Sequence, residues 1–160
     1  MLTPPRISVP LVLAAALASG ATTWPVRTLA QSLAQTSREL EGTWLTADGT
    51  AMVRFEDCAP FRCGRLVWLR DPVDPQTGKA LLDKNNPDPA LRKRQLLGIV
   101  LITEVAPLRP GEWQAKAYNA EDAGTYAVTL RLTAPDRLAL RGCGLAGLIC
   151  RTEFWSRAQQ

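Results

Sequence analysis

The chain has no histidine among its 160 residues, and this absence disfavours several kinds of site. Without an imidazole base, a serine or cysteine nucleophile lacks the partner that usually activates it. A zinc site is disfavoured for the same reason, and because the four cysteines show no Cys-x-x-Cys spacing. We therefore expect a protein that is not an enzyme and that binds no metal or cofactor.

Paired carboxylates are the remaining route to hydrolysis. Glu121 and Asp122 are adjacent, but adjacent residues in a turn point apart and more often form the turn than act as acid and base. An enzymatic interpretation would need turnover that responds to Glu121→Gln or Asp122→Asn.

The chain also carries little net charge. The whole chain carries 19 basic and 15 acidic residues, but the first 30 residues hold two of the arginines and no acid. The remainder is nearly neutral and has no basic face with interleaved aromatics, so nucleic acid is not an expected partner.

No apolar run is long enough to cross a membrane comfortably. The run from Val9 to Ala18 follows a single arginine and precedes small residues, a pattern typical of a secretory signal. We predict a signal peptide over 1–30, cleaved between residues 21 and 34, then a flexible lead over 31–39 and a single domain over 40–160. An uncleaved anchor is the alternative. The expected location is the periplasm, or outside the cell, with no membrane-spanning segment after cleavage.

Four cysteines in an exported chain predict two disulfides, for which three connectivities exist. Cys58 and Cys63 flank a short turn between two strand-like runs, and Cys143 and Cys150 do the same further on. Cysteines facing each other across a hairpin lie within disulfide range, so local pairing is the prediction.

Alternation of apolar and polar residues predicts an all-β chain of eight sequential strands joined by tight turns, such as Asp48-Gly49. Asp88 followed by Pro89 predicts one short helix to about Gln95, in the long loop between the third and fourth strands. Such a chain favours an antiparallel up-and-down barrel without free edges. The predicted strands are 41–46, 51–56, 64–69, 98–105, 113–118, 126–132, 137–142 and 149–157.

Two interpretations of the barrel interior remain open. An eight-stranded barrel is either filled by side chains or just wide enough for one small ligand. Alanines among the large apolar residues favour an interior with room for a ligand, whereas aromatic residues would fill the interior. The alanines are Ala51, Ala115 and Ala117, and the aromatic residues are Trp113, Tyr126 and Phe154.

The long polar segment from Trp68 to Gly98 is either a structured functional loop or a disordered insert, and we predict a structured loop. Its oxygen-bearing side chains do not follow a known calcium-loop spacing. Turn formation by Asp-Pro and Asn-Pro steps, helix capping by Asp88 and an Asp71 to Arg92 ion pair account for them instead. The residues considered for calcium are Asp71, Asp74, Asp83, Asp88, Asn85 and Asn86.

The residues Gly42-Thr43-Trp44 resemble the lipocalin and fatty-acid-binding superfamily, in which an arginine of the last strand covers this tryptophan. The resemblance assigns barrel closure to Gly42, Trp44, Arg151, Trp155 and Arg157.

A wider set of matches, from residue 40 to residue 157, resembles the exported bacterial proteins of the DUF2147 family. The chain departs from that pattern at Ala120 and Ala123, and at Cys143 and Cys150, where the family tends to carry other residues. The resemblance implies a lipocalin-like barrel in a bacterial cell envelope with no established activity. The matching residues are Gly42-x-Trp44, Asp48-Gly49, Cys58, Cys63-Gly64, Val67-Trp68-Leu69, Asn86-Pro87-Asp88-Pro89, Leu91-Arg92, Tyr118-Asn119, Glu121-Asp122, Thr125-Tyr126, Arg141-Gly142, Arg151-Thr152 and Trp155.

These patterns lead to two functional hypotheses. The first is a periplasmic barrel whose interior binds a small apolar or amphipathic molecule, with the loop folded across one end. The second is an envelope protein-interaction or stress module that uses the Asp71 to Leu97 loop as its docking surface. The candidate ligand-binding residues are Trp68, Asp71, Asn86, Asp88, Arg92, Tyr118, Asn119, Glu121 and Asp122.

Overall fold

The structure is a computed structural model that describes residues 38–144 and 149–159. The predicted signal peptide, 1–30, and most of the predicted lead, 31–39, lie outside the described residues. Among the helices within the described residues, none is both long enough and apolar enough to cross a membrane.

Eight antiparallel strands follow one another around a closed barrel, and the last pairs with the first. The predicted fold class is confirmed. The strands are β1 (Gly42–Leu45), β2 (Ala51–Cys58), β3 (Phe61–Leu69), β4 (Val100–Arg109), β5 (Glu112–Tyr118), β6 (Thr125–Ala134), β7 (Arg137–Gly144) and β8 (Ile149–Arg157).

The β1–β2 turn shows how local chemistry sets the strand order. Asp48 accepts hydrogen bonds from the hydroxyls of Thr46 and Thr50 and from the Thr50 amide. These bonds lower the pKa of Asp48 to about 2. Gly49 takes the left-handed conformation with φ 67°, as the predicted Asp-Gly turn requires.

One end of the barrel, which we call the closed end, is sealed around Trp44. Its indole Nε1 donates to the carbonyl of Leu40 at 3.0 Å, and both side chains are fully buried. The Arg157 guanidinium lies 4.2 Å from the Trp44 ring and donates to the carbonyls of Glu39 and Glu41. Gly42, at φ 112°, leaves the room this guanidinium needs.

The core continues inward from the closed end. Trp113 on β5, Leu130 on β6 and Leu138 on β7 have no exposed surface. They alternate along their strands with outward polar residues, so the three large side chains fill the same half of the barrel.

Two predicted interior aromatics do not fill the barrel. Phe154 lies on the outer face, opposite in phase to the buried Trp155, and is 44% exposed. Tyr126 is in phase with the interior but sits at the other end of the barrel and is 38% exposed. Only Trp113 of the three is buried in the core.

The predicted disulfides are both present. Cys58 pairs with Cys63 at a Cα separation of 5.6 Å, and Cys143 pairs with Cys150 at 4.0 Å. Each bridge joins adjacent strands across a hairpin.

Several strand ends differ from the sequence prediction by one or two residues, and three boundaries differ by more. The helix is a 3-10 helix that ends at Leu91, because Arg94 and Gln95 instead pair back with Asp83 and Leu82. β3 begins at Phe61, and β4 runs through Pro107, so the predicted turn at 107–111 shrinks to Pro110–Gly111. β4 tolerates Pro107 because its pairing with β5 is irregular there.

Candidate functional site

The end opposite the closed end, which we call the loop end, carries the long loop over residues 70–99. Its anchor is Asp83, whose side chain has no exposed surface. Asp83 accepts hydrogen bonds from the Tyr118 hydroxyl at 2.6 Å, Asn86 Nδ2 at 2.7 Å and Arg94 Nε at 2.9 Å. We call these four residues the Asp83 latch. It joins the loop to the end of β5.

The charge states of Asp83 and Tyr118 suit the hydrogen bonds of the latch. Burial alone would raise the pKa of Asp83, but the hydrogen bonds from Tyr118, Asn86 and Arg94 outweigh it and lower the pKa. Burial and the Asp83 carboxylate together raise the pKa of the Tyr118 hydroxyl. The anionic carboxylate and the protonated phenol are therefore the forms that hold the loop.

The segment after Asp83 is folded by its own side chains. Asn86 Oδ1 accepts from the Asp88 amide, and Asp88 caps the 3-10 helix by accepting from the Ala90 amide. Arg92 Nε donates to the Asn86 carbonyl at 2.7 Å, and Asn85 donates to the carbonyl of Glu121 at 2.9 Å. The loop is structured, as predicted.

The loop packs on the outside of the barrel. Along β5, Tyr118 is in phase with the exposed Gln114 and Lys116, whereas Trp113 and Ala115 face the core. Because the latch binds the outward-facing Tyr118, it holds this part of the loop against the outer rim of the barrel.

The structure brings together four of the candidate ligand-binding residues in and around the latch, and the Glu121 carbonyl contacts the neighbouring Asn85. Asn119 and Asp122 shape the β5–β6 turn, where Asp122 accepts from the Gly124 amide and the Tyr126 hydroxyl. Trp68 pairs with Met52 on the face opposite the core and is 39% exposed. The four that come together are Asn86, Asp88, Arg92 and Tyr118.

The predicted ion pair between Asp71 and Arg92 does not form, because Arg92 is bound to the Asn86 carbonyl. Asp83 and Arg94 were missed as site residues. The latch joins positions 35 residues apart in sequence, and no local pattern indicates which loop acid is buried.

Three carboxylates of the loop accept hydrogen bonds from different partners. Asp74 accepts from the amides of Gln76 and Thr77, Asp88 from Ala90, and Asp83 from the latch. Glu56 lies close to Cys58 and Cys63, but those two cysteines form a disulfide and offer no thiolate to a metal.

The interior at the loop end is reached by solvent. Ala51 on β2, Ala117 on β5 and Leu140 on β7 are in phase with buried core residues, yet each is partly exposed. Tyr126 stands at the rim of the same space. We call this partly exposed, inward-facing region at the loop end the open interior.

Charged groups lie near the rim of the open interior. Glu153 and Arg151 on β8 are in phase with Trp155, which is buried, and their charged groups lie 3.8 Å apart. Among the described residues, the buried indole N–H of Trp155 in the interior has no acceptor, and neither has that of Trp113 in the core toward the closed end. A buried donor without a partner marks a place for a water or a ligand oxygen.

The residues assigned to barrel closure fall at two ends. Gly42, Trp44 and Arg157 lie together at the closed end, and Trp155 lies in the interior. Arg151 lies at the loop end with a side chain that is 87% exposed, and Arg157 covers Trp44 instead.

A separate concavity of about 630 Å³ lies beside the β2–β3 turn, against Pro107 and Trp113. It is on the side of the molecule away from the long loop. None of the candidate ligand-binding residues lines it.

Comparison with known proteins agrees with this geometry. A family model described as an uncharacterized protein conserved in bacteria, DUF2147, matches residues 42–157. The solved structure of protein HP1028 from Helicobacter pylori, described as belonging to the lipocalin family, superposes with a TM-score of 0.63 at 24% identity over 76% of this chain and 84% of that one. No curated protein matches the chain. The chain therefore belongs to the DUF2147 family, with the closed eight-stranded barrel of a lipocalin-like fold.

Proposed function

We propose that this protein is an exported, non-enzymatic barrel of the bacterial periplasm that binds a small apolar or amphipathic molecule in its open interior. The observation that carries the proposal is the contrast along the barrel axis. Trp44, Trp113 and Leu138 are fully buried toward the closed end, whereas Ala51, Ala117 and Leu140 toward the loop end are partly exposed.

The chemistry of the open interior favours an amphipathic ligand. Ala117 and Leu140 offer apolar walls, while Arg151 and Glu153 offer charges near the rim. Trp155 adds a buried indole donor. A ligand with an apolar body and one oxygen-bearing end would match this arrangement.

The fold and the cysteines support the binding role and the compartment. The barrel architecture shared with a lipocalin-family protein has room for at most one small ligand. Two disulfides favour an oxidising compartment, and the family is bacterial, which together support the periplasm.

A non-enzymatic role is supported by the chain's composition and by the commitments of its carboxylates. The sequence has no histidine. Asp122 and Asp83 accept hydrogen bonds that fix a turn and a loop, so neither presents a free carboxylate for acid-base chemistry.

The proposal is tested by filling the open interior. Ala117 points inward on β5, and Ala127 points outward on the adjacent strand, so Ala117→Leu and Ala127→Leu form a matched pair. We expect saturable binding of the neutral fluorophore N-phenylnaphthylamine, weakened roughly tenfold or more by the inward substitution only. Absence of saturable binding, or equal affinities in both variants, would contradict the proposal.

A second candidate function is supported by the surface of the long loop. Val73, Leu82, Leu91 and Leu97 are each exposed by more than a third, on a loop that the Asp83 latch holds in one shape. A fixed loop with exposed apolar side chains suits docking to another envelope protein. Under this hypothesis, Leu82→Ser with Leu97→Ser would abolish crosslinking to a partner in intact cells, and retained crosslinking would count against it.

A further inference from the structure

A groove of about 1140 Å³ runs over the outer face of the barrel from β4 to β8. We call it the outer groove. Its side chains alternate along β6 and β7 with Val128, Leu130 and Leu138, which face the core. The outer groove is therefore a different place from the open interior, with a wall of sheet between them.

The outer groove carries an excess of positive charge. Lys116 is paired with Glu104 at 2.7 Å, and Arg109 with Glu112 at 2.7 Å. Among the described residues, Arg131 and Arg141 pair with no carboxylate. Glu112 lies opposite Arg131, but its carboxylate is already bound by Arg109.

The two unpaired arginines are diagonal neighbours on adjacent strands. Arg141 faces Thr129 on β6 and Thr152 on β8, and Arg131 lies two residues further along β6. Diagonal positions of this kind are about 7 Å apart, where like charges repel unless an anion lies between them. Two guanidinium groups flanked by hydroxyls match the oxygens of a phosphate group.

An exposed aromatic ring completes the groove. Arg131, Ala139 and Phe154 form one cross-strand row, which places Phe154 two strand spacings, about 10 Å, from Arg131. The Phe154 ring is 44% exposed and is stacked by Arg137 on one side at 4.4 Å. Small Ala139 leaves the space between the arginine and the ring open.

We propose that the outer groove binds a soluble organic phosphate, with the phosphate group held by Arg131 and Arg141 and an apolar or aromatic part packed against Phe154. The concave shape favours a small molecule over the flat surface of a bilayer. This site is independent of the open interior.

The test is calorimetric titration of the purified protein with phenyl phosphate and with inorganic phosphate. We expect phenyl phosphate to bind roughly threefold to tenfold more tightly, because its ring packs on Phe154. Replacing both arginines (Arg131→Gln with Arg141→Gln) should weaken both ligands roughly tenfold or more. Phe154→Ala should remove only the preference for phenyl phosphate.

Arg54→Gln is the matched control, since Arg54 is an exposed strand arginine on β2 that pairs with no carboxylate among the described residues. Unchanged thermal melting curves show that each variant keeps its fold. Three results would overturn the proposal: no binding of phenyl phosphate, an equal loss in the control variant, or binding only to vesicles of phosphatidylglycerol.

Discussion

The two ends of this barrel use their side chains in opposite ways. At the closed end, Trp44 and Leu40 are fully buried, and Arg157 donates to backbone carbonyls over the tryptophan. At the loop end, the inward side chains of Ala51, Ala117 and Leu140 are partly exposed, and the buried carboxylate of Asp83 lies outside the barrel in the latch. The fully buried side chains are concentrated toward one end, and the proposed binding region lies at the other.

The largest expected effect comes from breaking the closed end. Trp44→Ala should lower the free energy of unfolding by about 4 kcal/mol, because it leaves a large cavity and an uncovered arginine. Trp68→Ala, at an exposed tryptophan near the loop end, should cost less than about 1 kcal/mol. Urea denaturation measures both, and comparable losses would contradict the division between the two ends.

The next effect is confined to the loop. Asp83→Asn should destabilise the folded loop by about 3 kcal/mol. Arg94 loses its carboxylate partner, and the new side-chain amide N–H group faces other hydrogen-bond donors. Hydrogen exchange should accelerate at the amides of Asp83 and Leu96, which bond across the loop, and stay slow in β1. Asp71→Asn, in the exposed start of the loop, is the control. Uniform acceleration throughout the barrel would show that the latch supports the whole fold.

Acid should weaken the Asp83 latch. The pKa of Asp83 is lowered in the folded protein, so its stabilisation is complete above the unfolded value of about 3.9 and is lost as pH falls through the folded value. Protease cleavage of the loop should therefore rise below about pH 4 and be less pH-dependent in Asp83→Asn. Identical acid profiles for the two proteins would refute this assignment.

The smallest contrast is between the disulfides. Each closes a short loop, so its removal should cost about 2 kcal/mol by chain entropy. Cys63 is buried and Cys150 is exposed, so replacing Cys58 and Cys63 by serine should destabilise more than replacing Cys143 and Cys150. Thermal melts of the two double variants give the order, and the reverse order would contradict the account.

Much of the fold was predictable because its signals are local. Alternation along β5 and β6, the Asp48-Gly49 turn and the Asp88 cap each depend on residues within a few positions. The disulfides were predictable for the same reason.

The rest depends on contacts between distant residues. The burial of Asp83 follows from Tyr118, 35 positions away, and Arg157 reaches Glu39 across 118 positions. The strand register that pairs Phe154 with Ala139 places the Phe154 ring on the outer face of the barrel. Pattern alone could not place these three side chains.

The central claim is that the loop end holds a ligand. Its most direct test is native mass spectrometry of the protein purified from the periplasm of its own bacterium, beside the Ala117→Leu variant. The account predicts a single adduct of small-molecule mass on the wild-type protein, released by organic extraction and missing from the variant. A bare polypeptide mass for the wild-type protein would contradict it and favour docking through the long loop.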